Sequence, residues 1–199
     1  MTILPAAYLP SVRYIARTVA GDCVIDTGEH FLKRSERNRA LIMTANGAMP
    51  LTVQVSHANR LRTPVRDVRI DYSKRWQHQH WTALVSAYRS SPYFDHYAPR
   101  FERFYNQRWD WLAEYDLALT ETLLDCIGVT MPRVAGEYVD ASPDDLDLRP
   151  KGAHDPQFRT IPYIQTFADR MPFTPEMSFA DLLFCEGPDS KVLLTDSLR

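Results

Sequence analysis

The sequence has few of the residues on which familiar cofactor and metal motifs depend. It contains 7 glycines in 199 residues, and neither a G-x-G-x-x-G motif nor a P-loop occurs, so any phosphate must be bound by side chains. Its 3 cysteines are widely spaced and form no C-x-x-C pair, which argues against disulfides and a zinc site and favours a reducing cytoplasm. No apolar run approaches the ~20 residues of a membrane span. We therefore expect no metal, no cofactor and no membrane span.

Charge is distributed unevenly along the chain. The net charge is −2, yet from Arg13 to Arg108 there are 16 Lys and Arg against 8 Asp and Glu, and elsewhere 7 against 17. The basic front half favours an anionic small-molecule ligand, and the acidic back half argues against a nucleic-acid partner. Attraction between the two halves across a domain contact is the alternative explanation. In that case high salt would lower the stability of the protein.

Hydrophobic periodicity predicts strands in the first third of the chain and helices after it. A short amphipathic helix over 11–20 precedes a buried strand at 23–26. Further strands are expected at 40–43, 51–55 and 65–70. Helices are expected to begin at Lys74, with Ser73 as the cap, at Ser91 and at Ser178, and another is expected over 108–127. This order predicts an α/β or α+β protein with an N-terminal Rossmann-like small sheet of about four strands and a mostly helical C-terminal half.

Length and composition favour a single domain over residues 1–199. A hydrophobic content of 45% is enough for one core. We divide the domain into a strand-rich basic part (1–72), a helical part (73–128), a loop-rich part (129–160) and a C-terminal closing segment (161–199). The segment Met1–Pro5 has neither a charged leader nor a long apolar region, so we expect no signal peptide.

The densest polar stretch runs from Asp26 to Arg39, between two apolar runs. It contains three carboxylates, one histidine, three arginines, a lysine and an asparagine. A buried ion without a partner costs several kcal/mol, so these groups must be paired, hydrated or bound to a ligand. We predict an anion-binding site in this stretch.

Residue chemistry suggests how this stretch would bind its ligand. Guanidinium groups can grip two phosphate oxygens at once and an ammonium supplies a point charge, so the candidates for phosphate binding are Lys33, Arg34, Arg37 and Arg39. The alternative is a hydrated basic loop that faces the acidic half. Asn38 would orient a hydroxyl or amide of the substrate, or else fix a turn.

Two residues are candidates for proton transfer. Asp26 ends an apolar strand, where an open α/β sheet places its ligand contacts, and His30 can titrate near neutral pH. A loop-capping aspartate and a surface histidine are the alternatives. We add Tyr14 and His80 to the substrate-binding candidates, although packing of His80 against Trp76 in the core is the favoured explanation of that residue.

Several sequence blocks, spread over nearly the whole chain, are typical of one protein family. They are Leu9–Tyr14, Ala20–Asp26, Phe31–Arg39, Leu51–Val55, Ile70 with Trp76 and His80, Tyr88 with Pro92–Phe94, Tyr163–Phe167 and Ser178–Phe184. In this order they resemble the WbqC-like family of bacterial proteins. One departure is Gln54, where members of the family usually carry proline.

The resemblance implies a cytoplasmic role near nucleotide-linked sugars, because the family is associated with gene regions for O-antigen and other surface polysaccharides. It brings no established reaction. Our leading hypothesis is a transferase that acts on a phosphate-bearing substrate of the nucleotide-sugar type. The alternative is a non-catalytic protein that binds an anionic metabolite or a protein partner in the same pathway. Assembly into a homo-oligomer is left open.

Overall fold

The computed structural model describes residues 1–56 and 62–198, and it begins with strands and continues mainly with helices. The strands are β1 (Thr2–Pro5), β2 (Cys23–Asp26), β3 (Arg39–Thr44), β4 (Gly47–Thr52), β5 (Val55–Ser56), β6 (Arg69–Ile70), β7 (Arg133–Ala135) and β8 (Leu146–Asp147). The α-helices are α1 (Val12–Ala20), α2 (Trp76–Tyr88), α3 (Phe94–Asn106), α4 (Leu112–Cys126), α5 (Phe179–Glu186) and α6 (Ser190–Asp196). Short 3-10 turns lie at Val65–Asp67 and Gly187–Asp189.

Four of the strands form a parallel sheet in the order β7-β2-β1-β8. The register of β1 on β2 runs from Thr2 opposite Cys23 to Pro5 opposite Asp26. The chain thus places β2 and then β7 on one side of β1, and later returns to add β8 on the other side. Such a reversal is a topological switch point, where open α/β sheets bind ligands beyond the carboxyl ends of the strands.

The predicted fold class is confirmed, although the sheet uses other strands than the periodicity suggested. The predicted strand at 23–26 is β2, whereas 40–43 belongs to β3 of the separate antiparallel pair β3-β4. Of the predicted strand 51–55, only Leu51 and Thr52 lie in β4, and Val55 begins β5. The segment 65–70 forms a 3-10 turn followed by the two-residue strand β6. The strands β1, β7 and β8 have 4, 3 and 2 residues, which is too short for an alternating pattern to appear.

Two of the predicted helix starts are confirmed by their caps, and a third is wrong. The Ser11 hydroxyl accepts from Tyr14 N at 3.3 Å to open α1, and Ser178 accepts from Ala180 N at 3.2 Å to open α5. Ser73 does not cap α2, because its hydroxyl donates instead to the Asp71 carboxylate at 2.9 Å. That helix begins only at Trp76.

An aromatic core fills the space between the helices and the loop that follows β1. Trp76 of α2 meets Tyr115 of α4 edge to face, with ring centroids 5.8 Å apart, and Tyr8 stacks on Tyr115 at 5.9 Å. Because Tyr8 belongs to the loop after β1, this core fixes the position of that loop at the carboxyl end of the strand. Within residues 1–56 and 62–198, no helix is long and apolar enough to cross a membrane.

Candidate functional site

A cavity of about 300 Å³ opens at the carboxyl edge of the parallel sheet, between β1 and β8. Its wall includes Pro5, the last residue of β1, and Leu148, which follows β8 directly. The charged side chains in the lining are Arg13, Arg34, Arg37, Arg39, Arg149 and Lys151, together with Glu36 and Glu176. The cavity therefore lies at the switch point of the sheet and is lined by six cations and two carboxylates.

Arg149 is the centre of what we call the floor, defined as the lining residues Arg37 and Arg149 together with their buried partners Glu29 and Asp26, which do not line the cavity themselves. Its Nε and Nη2 donate to the Asp147 carboxylate at 2.9 and 2.8 Å, and its Nη1 donates to the Asp26 carboxylate and to the Val139 carbonyl. Only 4% of Arg149 is exposed. The protein itself thus occupies the donors of this guanidinium, and the side chain is held rigidly.

Asp26 is completely buried and acts as the junction of the floor. Its Oδ1 accepts from the backbone N–H groups of Gly28 and Glu29 at 2.8 and 3.1 Å, and its Oδ2 accepts from Val139 N at 3.1 Å as well as from Arg149. The carboxylate therefore caps the loop after β2 and joins it to the chain beyond β7. Asp26 is the loop cap that the sequence offered as one of two alternatives.

Gly28 allows the two loops at this junction to meet. A Cβ atom at Gly28 would lie 2.3 Å from the backbone of Glu137 and Tyr138, a distance that no side chain can adopt. Any other residue would push the segment 137–139 away from the end of β2. Because Val139 N would move with it, the cap on Asp26 depends on this glycine.

Arg37 and Glu29 form a second buried ion pair in the floor. Arg37 is 2% exposed. Its Nη2 donates to the Glu29 carboxylate and, at 2.8 Å, to the Arg149 carbonyl. Its Nη1 donates to Ser35 Oγ at 3.1 Å. Burial raises the pKa of Glu29 to about 7, although the bond from Arg37 lowers it. Within the described residues, Glu29 Oε1 and Arg37 Nε have no hydrogen-bond partner.

Three of the four other cations form what we call the rim, defined as Arg34, Arg39 and Lys151. Arg34 and Lys151 are exposed and Arg39 is half-buried, and none of the ion pairs between described residues includes any of the three. Arg13 is less available, because it lies 3.7 Å from Glu36 and donates to the Ala153 carbonyl at 2.7 Å. The rim therefore supplies the charge that a ligand can meet.

The structure brings together three of the four residues that were predicted to bind phosphate. Arg34, Arg37 and Arg39 all line the cavity. Lys33 is exposed and lies outside the lining. Asn38 fixes a turn, since its Oδ1 accepts from Arg34 N at 3.2 Å and its Nδ2 donates to the Val53 carbonyl at 3.1 Å.

The two candidates for proton transfer do not meet at the cavity. His30 is exposed, makes a backbone bridge to Pro64, and lies outside the lining. Asp26 lies beneath the cavity rather than in its wall. Asp26, His30 and Asn38 therefore do not form a common cleft among the residues that the structure describes.

Tyr14 and His80 lie in the core. The Tyr14 hydroxyl donates to the Pro5 carbonyl at 2.9 Å and so supports the end of β1. His80 shares a 2.8 Å hydrogen bond with the Tyr8 hydroxyl and packs against Trp76 at a ring distance of 5.2 Å. Burial lowers the pKa of His80 to about 4, so the imidazole is neutral near pH 7.

Three participants in the site were missed from the sequence: Arg149, Lys151 and Glu29. Arg149 and Lys151 lie in a segment that the composition marked as a loop, more than 100 residues from the polar stretch. The available signal was the isolated pair of cations directly after the acidic run 140–147. Nothing in the sequence next to Glu29 indicates that this residue is buried.

Two other kinds of chemistry find little support in the described part of the chain. No group of three or more His, Cys, Asp or Glu residues there is arranged to hold a metal ion. Burial raises the pKa of the Cys23 thiol to about 11 and that of Cys185 to about 12. Neither thiol is therefore a ready nucleophile at neutral pH.

Comparison with known proteins finds one match. The model of the WbqC-like protein family matches residues 6–149, well over half of the chain. The matched range contains the whole polar stretch and ends on Arg149, so it includes the complete floor of the cavity. No curated protein and no solved structure matches the chain.

Proposed function

Because the chain belongs to the WbqC-like protein family, we propose that it binds a phosphate-bearing substrate of the nucleotide-sugar type and acts on it as a transferase. The pathway would be the synthesis of bacterial surface polysaccharide, including O-antigen. The observation that carries this proposal is the concentration of six cations in one cavity at the switch point of a parallel sheet.

The charge of the floor and that of the rim support phosphate binding differently. Arg149 is compensated by Asp26 and Asp147, and Arg37 is compensated by Glu29 above about pH 7, where that carboxyl group is ionised. The floor then contributes little net charge. Between described residues, no ion pair joins a rim cation to a carboxylate, and all three rim cations line the cavity. Two guanidinium groups and one ammonium group suit the oxygens of a pyrophosphate. Fixed positive groups of this kind can also stabilise the charge that develops on a leaving phosphate.

A non-catalytic role as a binding protein for an anionic metabolite is the second candidate. It is favoured by one observation, that neither Asp26 nor His30 lines the cavity in which the rim cations lie. The roles of these two residues in proton transfer stay predictions. The carboxylates that do line the cavity, Glu36 and Glu176, are the alternative proton acceptors.

Binding of pyrophosphate, measured by titration calorimetry, tests the shared part of both candidates. We expect the wild type to bind and the affinity to fall as salt is added, because the rim is exposed to screening. The double variant Arg39→Ala with Lys151→Ala should bind at least about ten-fold more weakly. Arg89→Ala, an exposed cation outside the cavity lining, is the matched control and should bind like the wild type. A wild type that does not bind pyrophosphate contradicts the proposal.

Turnover distinguishes the two candidates. The protein would be incubated with a panel of nucleotide sugars and nucleophilic acceptors, and the release of nucleoside phosphate would be followed. Release that disappears in the double rim variant supports the transferase. Tight binding without release by any donor supports the binding protein instead.

A further inference from the structure

Tyr138 is an exposed aromatic residue that the fold nevertheless holds in place. It remains 54% exposed, although it lies between two anchored neighbours. On one side Val139 N donates to Asp26, and on the other Arg66 bonds the Gly136 carbonyl and the Glu137 carboxylate. The backbone of Glu137 and Tyr138 lies close to Gly28, and this contact also fixes the segment.

The ring of Tyr138 is fixed as well as its backbone. The Arg149 guanidinium lies over the ring, 4.4 Å from the centroid. That guanidinium cannot turn freely, because carboxylates of Asp26 and Asp147 hold its nitrogens. A large ring is therefore kept in one orientation while more than half of the residue stays in contact with solvent.

The position of this ring relates it to the anion cavity. Arg149 both lines the cavity and touches the ring, so the two sites are neighbours across one side chain. Tyr138 belongs to the segment that follows β7 and contacts the end of β2, whereas the rim cations Arg39 and Lys151 line the cavity between β1 and β8. A ligand with phosphates at the rim and a planar group beyond them would span both.

We propose that Tyr138 is the stacking platform for the base of a nucleoside diphosphate whose phosphates are bound by the rim. The site would then recognise a nucleotide rather than a bare polyphosphate. This inference rests on the proposed function, since it assumes that the rim binds phosphate. Aromatic side chains stack on any base, so the ring supplies affinity for the nucleoside part without selecting one base.

The test compares two probes on one set of variants. Affinities for pyrophosphate and for uridine diphosphate would be measured on the wild type, Tyr138→Ala and Tyr138→Phe. We expect the wild type to bind uridine diphosphate more tightly than pyrophosphate. Tyr138→Ala should lower the affinity for uridine diphosphate about ten-fold and leave the affinity for pyrophosphate unchanged. Tyr138→Phe should keep both affinities. Val134→Ala, an exposed apolar residue on β7, is the matched control.

Each outcome has a separate meaning. If pyrophosphate does not bind the wild type, the proposed function fails. If pyrophosphate binds but Tyr138→Ala leaves the affinity for uridine diphosphate unchanged, only the proposal of a stacking platform is overturned. An equal loss for both probes means that the ring merely covers Arg149, and this too overturns the inference. Tyr138→Leu retains an apolar cover over Arg149 without an aromatic face, so a selective loss for uridine diphosphate in that variant supports stacking even if Tyr138→Ala folds poorly.

Discussion

The floor and the rim of the cavity both carry cations, but their surroundings differ. The floor arginines Arg37 and Arg149 are 2% and 4% exposed and are held by buried carboxylates. The rim cations Arg34 and Lys151 are exposed and belong to none of the ion pairs between described residues. A buried ion must be compensated inside the protein, whereas an exposed one is compensated by water or by a ligand.

This difference indicates separate roles for the two regions: the floor stabilises the structure, and the rim is available to bind an anion. Arg34 and Arg37 are three residues apart and look equivalent in the sequence, yet one meets solvent and the other forms part of the floor. Substitution in the floor should therefore change mainly stability. Substitution in the rim should change mainly affinity for anions.

The largest effect is expected for Asp26→Ala. The change leaves Arg149 and three backbone N–H groups without their buried acceptor, and removing one partner of a buried pair costs about 3–5 kcal/mol. Urea unfolding would measure the loss. Asp22→Ala, at a carboxylate that is 83% exposed, is the control and should change little. A loss below about 1 kcal/mol for Asp26→Ala would show that the floor is not a structural junction.

A smaller, pH-dependent effect is expected for Glu29→Gln. Burial raises the pKa of Glu29 to about 7 from an ordinary value of 4.5. Between these values the folded protein keeps a proton that the unfolded chain has released, so this contribution to stability is complete below pH 4.5 and is lost as the pH rises to about 7. The free energy of unfolding of the variant should thus fall less than that of the wild type over this range, by up to about 3 kcal/mol.

Chemical denaturation at several pH values from 4 to 8 would supply the two curves for Glu29→Gln. If the curves for variant and wild type ran parallel, the pH dependence could not be assigned to the raised pKa of Glu29. Glu121→Gln is a suitable control, because Glu121 is exposed on α4. Its substitution should leave the pH dependence as it is in the wild type.

The smallest effect on stability is expected in the rim. Arg39→Ala and Lys151→Ala remove cations without an ion-pair partner among the described residues, so each should change the free energy of unfolding by no more than about 0.5 kcal/mol. Thermal or urea unfolding of the same protein samples that are used for calorimetry would check this. A rim variant that loses more than about 1 kcal/mol would show that floor and rim are not distinct.

The fold was predictable in class and in two of its helix starts, but less so in its strand pairing. The helix starts at Ser11 and Ser178 were predictable, because a capping side chain acts within one helical turn. The sheet members β7 and β8 were not found, since strands of 3 and 2 residues carry no periodic signal. Such strands are specified by parallel partners far away in the chain.

The candidate site divides in the same way. The sequence by itself determined that a basic stretch follows the buried strand β2, and that Arg34, Arg37 and Arg39 would lie near one another. Only the tertiary structure decided which of them is buried, because burial depends on Glu29 and on the distant carbonyl of Arg149. It likewise made Asp26 a cap by bringing Val139 and Arg149 to it. Local sequence patterns indicate where strands and polar stretches lie. Whether a charge is buried and compensated depends on contacts that form only when the chain folds.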